Sequence, residues 1–148
     1  MIYSFEKSLG RITHQVSKGL GEKLVRKFSE HNLKIDSYQW TIISYLYHNQ
    51  KAIQNDIAKF MGINKVRVMR ILDILEENGY IRRIIAKNDK RQNIVELTAE
   101  GETLYSKLAP MAEETLKEAY SGLTEEEIKQ CLETLNKIQK KLPNAQDG

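Results

Sequence analysis

Between residues 54 and 101 the chain is punctuated in a way that leaves few folds open. Two short helical patterns, about Gln54 to Met61 and Asn64 to Asn78, are joined by Met61-Gly62-Ile63. Gly62 supplies the backbone freedom of a tight turn, and Asn64 caps the second helix. In that second helix Val68, Ile71, Leu72 and Leu75 form an inward stripe, while Lys65, Arg67 and Arg70 lie off it. Gly79 ends the helix as a residue past its C-terminus. Two β-like apolar runs follow, Tyr80 to Ile85 and Ile94 to Leu97, on either side of the polar turn Lys87-Asn88-Asp89-Lys90-Arg91. Thr98 then opens a new helix. A hairpin with a cationic tip implies something anionic to meet it.

The flanks are helical. Ile2, Phe5, Leu9, Ile12, Val16, Leu20, Leu24 and Phe28 recur at spacings of three and four, which predicts one long amphipathic helix. Gly19 and Gly21 within it imply a bend or a close backbone approach. A second helix, Ser37 to about His48, takes Asp36 or Ser37 as cap. It is apolar on nearly every side (Tyr38, Trp40, Ile42, Ile43, Tyr45, Leu46, Tyr47), which predicts burial between other elements. After Thr98 a helix is expected to about Tyr120, with Leu104, Leu108, Met111 and Leu116 on one side and a kink at Pro110. Thr124 to Glu127 matches a capping box. The last helix carries the seam Ile128, Cys131, Leu135, Ile138 and Leu142, and the polar end NAQDG reads as frayed.

Charge is divided along the 148 residues. Residues 1–52 hold 8 Lys+Arg against 4 Asp+Glu, residues 53–97 hold 9 against 6, and residues 98–148 hold 6 against 10. An anion-facing patch therefore belongs upstream of residue 98. No apolar run approaches the roughly 18 residues of a membrane span. The start MIYSFEKSLGR lacks the pattern of a signal peptide, and the single cysteine, Cys131, suits a reducing cytoplasm, so a cytoplasmic protein with no membrane partner is expected. On an apolar seam Cys131 is expected to be a buried, inert thiol. His14, His31 and His48 share no ligand spacing, so neither a metal nor another cofactor is expected. There is no G-x-S-x-G, phosphate loop or H-E-x-x-H, and no catalytic residue is assigned.

Helix, helix, glycine turn, helix and hairpin, in that order, make a winged helix-turn-helix. The second helix of the pair enters a DNA major groove with its N-terminal residues leading. Those residues are Lys65, Val66, Arg67, Met69 and Arg70, behind the cap Asn64. Arginine donates two bonds to guanine O6 and N7, and Val66 and Met69 suit a thymine methyl. The positive end of the helix dipole at Asn64 favours phosphate. Alone, Lys65, Arg67 and Arg70 would read as a solvated face. Beside the wing they read as DNA contacts.

The chain resembles the MarR family of bacterial transcription regulators along nearly its whole length. Gln39-Trp40, then Ile57 to Ile63, carry the resemblance, followed by Leu72-Asp73-Ile74-Leu75-Glu76-Glu77-Asn78-Gly79-Tyr80-Ile81-Arg82-Arg83. Asp89-Lys90-Arg91 with Val95-Glu96-Leu97-Thr98-Ala99-Glu100-Gly101 is its most specific part. The resemblance implies a mainly α fold with a small β-hairpin wing: a winged lobe at 37–98, between an N-terminal helix and connection at 1–36 and C-terminal helices at 99–148. The terminal helices would interlock in a homodimer. It further implies that Arg91 enters the minor groove, oriented by an ion pair with Asp89, with Lys87 and Lys90 beside them on the wing. Gln54 stands where the family often has a Ser or Thr cap, and Arg67 and Met69 replace the smaller Ser or Thr residues common in its reading helix. These departures bear on which operator is read rather than on the mode of binding.

The expected function is thus a homodimeric regulator, most simply a repressor, on pseudo-palindromic double-stranded DNA. The alternative is a winged-helix protein-interaction module without DNA binding. A basic helix together with a cationic wing favours the first. The aromatic residues of the second helix, Tyr38, Trp40, Tyr45 and Tyr47, suggest a pocket for a small flat effector at the junction with the dimer helices. The resemblance points to phenolic or aromatic carboxylate ligands, with Arg11 or His14 as polar partners.

Overall fold

Side-chain oxygens decide where most of the helices begin. A computed structural model describes residues 1–86 and 89–143, with the backbone alone at residues 86 and 89–92. The end NAQDG lies outside the described residues. Helix α1 (Leu9–Glu30) starts where Ser8 accepts a bond from the Arg11 amide. Helix α2 (Ser37–Asn49) starts at a complete capping box. There Asp36 accepts from the Gln39 amide at 2.8 Å, and the Gln39 side chain accepts from the Asp36 amide at 3.0 Å. Strand β1 (Lys51–Ile53) leads into α3 (Gln54–Met61), which closes on Gly62 at φ +66°. Helix α4 (Lys65–Glu77) is capped by Asn64, whose Oδ1 accepts from the Arg67 amide at 2.8 Å. Strands β2 (Ile81–Ala86) and β3 (Asp89–Leu97) follow, then α5 (Ala99–Ala119) and α6 (Glu125–Gln139), capped by Thr98 and Thr124. The chain is mainly helical with a small antiparallel sheet, as expected.

The sheet order is β1-β3-β2. Val95 stands opposite both Ala52 and Arg83, and Ile94 opposite Ile53 and Ile84, with an irregularity between Ile85 and Ala86. Strand β1 lies outside the sequence reading. The segment Lys51-Ala52-Ile53 has no period of its own, and its pairing depends on a strand about forty residues downstream.

One core joins the pieces. Ile42, Ile43 and Leu46 of α2 meet Ile57 of α3, Val68, Leu72 and Leu75 of α4, Ile81 and Val95 of the sheet and Leu104 and Leu108 of α5. Phe28 and Leu24 bring the end of α1 into the same cluster. Outside it, Lys23 and Lys27 of α1 both pair with Glu118 of α5, Lys27 at 2.8 Å. First Lys23 and then Lys27, through their hydrogen bonds, hold the Glu118 carboxyl below the usual carboxylate range.

Four expectations change. The first helix begins at Leu9, not near Ile2, because Ser8 caps it; Ile2 and Phe5 precede the helix and are exposed. Helix α2 is not buried all round: Ile42, Ile43 and Leu46 face the core, whereas Tyr38 and Tyr47 are 37% and 44% exposed. A phenol keeps its hydroxyl in water while its ring covers apolar neighbours, so a tyrosine adds to an apolar count without facing the core. Cys131 is exposed rather than buried, since α6 contributes no buried residue within one chain. Gly19 and Gly21 interrupt nothing. The helix runs through both, and a Cβ on Gly21 would make only ordinary contact with Ser37, at 3.6 Å.

Candidate nucleic-acid interface

The helical period of α4 puts core and interface on opposite sides of one element. Val68, Leu72 and Leu75 are buried, which turns Lys65, Val66, Arg67, Met69 and Arg70 outward. Val66 is 53% and Met69 42% exposed, high for apolar side chains beside a packed core. Among the described residues, no carboxylate lies within ion-pair distance of Lys65, Arg67 or Arg70. Asn64 occupies its own side chain as the cap, so the helix-start amides near it are only partly satisfied by protein.

Arg67 has a neighbour that sequence reasoning places elsewhere. Its guanidinium carbon lies 4.4 Å from the centroid of the Tyr38 ring, on the first turn of α2. Gln54, at the place expected of a capping residue, does not cap. Helix α3 has Ile53 as N-cap with no side-chain bond, and among the described residues none donates to the buried Gln54 Oε1.

The wing is fastened to α4 by Arg83. Its Nη2 donates to Asp73 Oδ1 at 2.5 Å and to Glu76 Oε1 at 2.9 Å, and its amide donates to Glu76 Oε2 at 3.1 Å. Asp73 and Glu76 are three residues apart and so project from one side of the helix. The hydrogen bond from Arg83 is the main reason the Glu76 carboxyl is held below its usual range; the same bond raises the Arg83 guanidinium. Next to it Arg82 pairs with Glu96 across the strands.

A second junction ties the base of the wing to α5. The Thr98 hydroxyl donates to the Gly79 carbonyl at 2.5 Å and accepts from the Gly101 amide at 3.1 Å. The Thr98 amide donates to the Tyr80 carbonyl at 3.0 Å. Gly101 is a steric requirement: a Cβ there would sit 2.1 Å from the Tyr80 carbonyl oxygen. The L-T-x-x-G run thus closes a loop between helix end, wing base and helix start.

Lys87 lies outside the described residues, and so do the side chains of Asp89, Lys90 and Arg91. The six residues considered for an effector are distributed over several places. His14 and Tyr38 line one groove of about 860 Å³ between α1 and the start of α2, together with Arg26 and Thr41. Arg11 lies over the Phe5 ring at 5.5 Å. Trp40 and Tyr45 border a different hollow with His48 and Phe60. Tyr47 stacks on Tyr105 at 3.7 Å, and Tyr105 stacks on Trp40 at 5.7 Å, so these rings pack α2 against α5. No group of three or more potential metal ligands occurs among the described residues, and no helix there is long and apolar enough to cross a membrane.

Comparison with known proteins agrees with this architecture. Residues 35–92 match the model of the MarR family. The fold is similar to that of a putative MarR family transcriptional regulator from Listeria monocytogenes, whose structure holds a 26mer DNA. That likeness has a TM-score of 0.83 and 25% identity, over 91% of this chain and 89% of the other. A S. aureus MepR–DNA complex gives a TM-score of 0.81 and 27% identity, over 91% and 98%. A mutant MarR from E. coli in complex with operator DNA gives 0.80 and 24%, over 91% and 94%, a likeness of fold. Residues 35–92, the winged helix-turn-helix, thus match the MarR family, and the chain as a whole has a fold similar to that of MarR-family regulators.

Proposed function

We propose that this protein is a DNA-binding transcription regulator that acts as a homodimer on a pseudo-palindromic operator. The observation that carries the reading is the outward face of α4. Lys65, Arg67 and Arg70 stand exposed and without carboxylate partners among the described residues, at the leading end of a helix whose other side is locked in the core. The DNA complexes of the Listeria and S. aureus proteins support the same reading. In it Arg67 and Arg70 read base edges, with Val66 and Met69 at thymine methyls. Asn64 and Lys65 hold phosphate at the helix start, and Lys87, Asp89, Lys90 and Arg91 serve the wing. A protein-interaction module has no need of both a bare basic helix and a cationic wing.

Homodimerisation is supported by what a single chain leaves uncovered. Ile2, Phe5, Leu9, Ile12 and Val16 are exposed at the N-terminal end, as are Leu132 and Leu142 towards the C-terminus. Two such surfaces pair across a two-fold axis, and half-site centres then lie about 34–36 Å apart. Occlusion of the site it covers makes a dimer of this kind a repressor. A small aromatic effector relieves it by favouring an arrangement in which the reading helices no longer match successive grooves.

Titration with random-sequence duplex at low and high salt tests the class. Binding that weakens steeply with salt is expected, and a protein that ignores DNA at both salts would leave the interaction module as the better reading. Selection of bound DNA from a random pool then gives the operator, which should be a pseudo-palindrome.

A further inference from the structure

We propose that Tyr38 is a positioning residue for base reading by Arg67, a proposal that rests on the DNA-binding reading above. Tyr38 is the second residue of α2 and Arg67 the third of α4, so ring and guanidinium come from the first turns of two different helices. Both turns are fixed by their caps, Asp36 with Gln39 in one case and Asn64 in the other. The guanidinium carbon sits 4.4 Å from the ring centroid. A cation over an aromatic face is held by the ring quadrupole.

The geometry suits reading. With its carbon over the ring, the guanidinium donates to no side chain among the described residues, so its N–H groups are left for guanine O6 and N7 to accept from. No acidic side chain among the described residues competes for them. A long side chain loses rotamer freedom when it is held against a base, and a ring that already narrows its directions lowers that loss. Tyr38 therefore acts on DNA through Arg67, without touching a base itself.

The experiment compares Tyr38→Phe and Tyr38→Leu with the unaltered full chain. The probes are a duplex selected from a random pool by the unaltered protein and a random-sequence duplex. Tyr38→Phe keeps the ring and should bind the selected duplex as before. Tyr38→Leu should bind it about two- to fivefold more weakly, with random duplex unchanged. The loss should come with relaxed preference at one base pair of each half-site. In an Arg67→Ala background, Tyr38→Leu should have no further effect. The contact can also be read without DNA. The Arg67 side-chain NMR resonances should carry a ring-current shift in the unaltered protein and in Tyr38→Phe, and lose it in Tyr38→Leu.

A folded Tyr38→Leu variant with unchanged base preference overturns the proposal, and so does a loss that persists undiminished beside Arg67→Ala. If Tyr38→Leu melts early, Tyr38→Gln at this partly exposed site takes its place in the same comparison. Absence of salt-dependent binding by the unaltered protein rejects the DNA-binding reading itself, before any variant is measured, and this proposal with it.

Discussion

Arg83 donates to Glu76 at 2.9 Å across the junction of β2 and α4, so the wing and α4 share one clamp. The folded state holds the Glu76 carboxyl below its unfolded value, chiefly through that bond. A depressed carboxylate stabilises the fold fully above the unfolded pKa, near 4.5, and loses that contribution as pH falls through the folded one. Denaturant midpoints should therefore fall as pH drops from about 5 towards 3, and should fall less in Glu76→Gln. Glu76 is partly exposed and screened, so Arg83→Met should cost about 1 kcal/mol at neutral pH. Midpoints for both variants that follow the unaltered protein at every pH would remove the clamp.

Gly101 is held to glycine by sterics. An added Cβ would lie 2.1 Å from the Tyr80 carbonyl oxygen, a backbone atom that is itself bonded to the Thr98 amide. Gly101→Ala should cost about 3 kcal/mol or more, read as a lowered urea midpoint. Gly19→Ala in α1 meets nothing within 4 Å in its own chain and should instead add about 0.5–1 kcal/mol. Equal, small effects at the two positions would contradict this packing.

What the sequence reveals depends on the range of the interaction that decides each feature. The caps at Asp36, Asn64, Thr98 and Thr124 and the turns at Gly62 and Gly79 are legible because each involves residues within a few positions. The inward stripe of α4 is legible for the same reason. Strand β1 is not, because its bonds go to β3. Nor is the start of α1, where the apolar spacing continues upstream of the Ser8 cap. The basic face of α4 follows from its period, but the contact of Arg67 with Tyr38 does not, since counting aromatic residues on α2 does not say which way each ring faces. The clamp at Arg83 lies in between. Asp73 and Glu76 are spaced to share a partner, yet only the Gly79 turn brings Arg83 back to them.

Reading and positioning should separate by mutation. Arg67→Ala or Arg70→Ala should cost about 1–3 kcal/mol on the selected operator and relax preference at particular bases. Lys87→Ala or Lys90→Ala should weaken all sequences alike and reduce the salt slope by about 1 each. Arg91→Ala should lose much of the affinity with the fold intact, and Asp89→Ala part of it. Filter-binding or anisotropy titrations over a salt series measure all six. The assignment is reversed if the wing lysines change base preference and the helix arginines do not.

Dimerisation through α6, as proposed, would make Cys131 a reporter. It is exposed in one chain, on the apolar seam of α6. Pairing of that seam with a second copy should slow its reaction with a thiol reagent, and dilution towards monomer should speed it. Replacing Ile128 and Leu135 with Asp should give a monomer by sedimentation and a fast-reacting thiol. A thiol rate independent of protein concentration, with a dimeric mass throughout, would place the interface elsewhere.

Control by a small molecule should localise to one of two places. His14 and Tyr38 share the groove between α1 and α2, at the junction of the terminal helix with the winged lobe. Trp40 and Tyr45 border the hollow beside Phe60, within the lobe itself. Of the two, only the groove is lined by both α1 and the turn that carries Tyr38, so an occupant there is the one placed to favour one setting of the lobe over another. A thermal-shift screen of phenols and aromatic carboxylates is the measurement, since ligand at 100 times its Kd adds about 2.7 kcal/mol of stability. Hits should weaken operator binding, and His14→Ala should lower their affinity while Trp40→Ala leaves it in place. Hits that stabilise the protein without changing DNA affinity would keep the pocket and discard the switch, and dependence on Trp40 instead of His14 would move the site into the lobe.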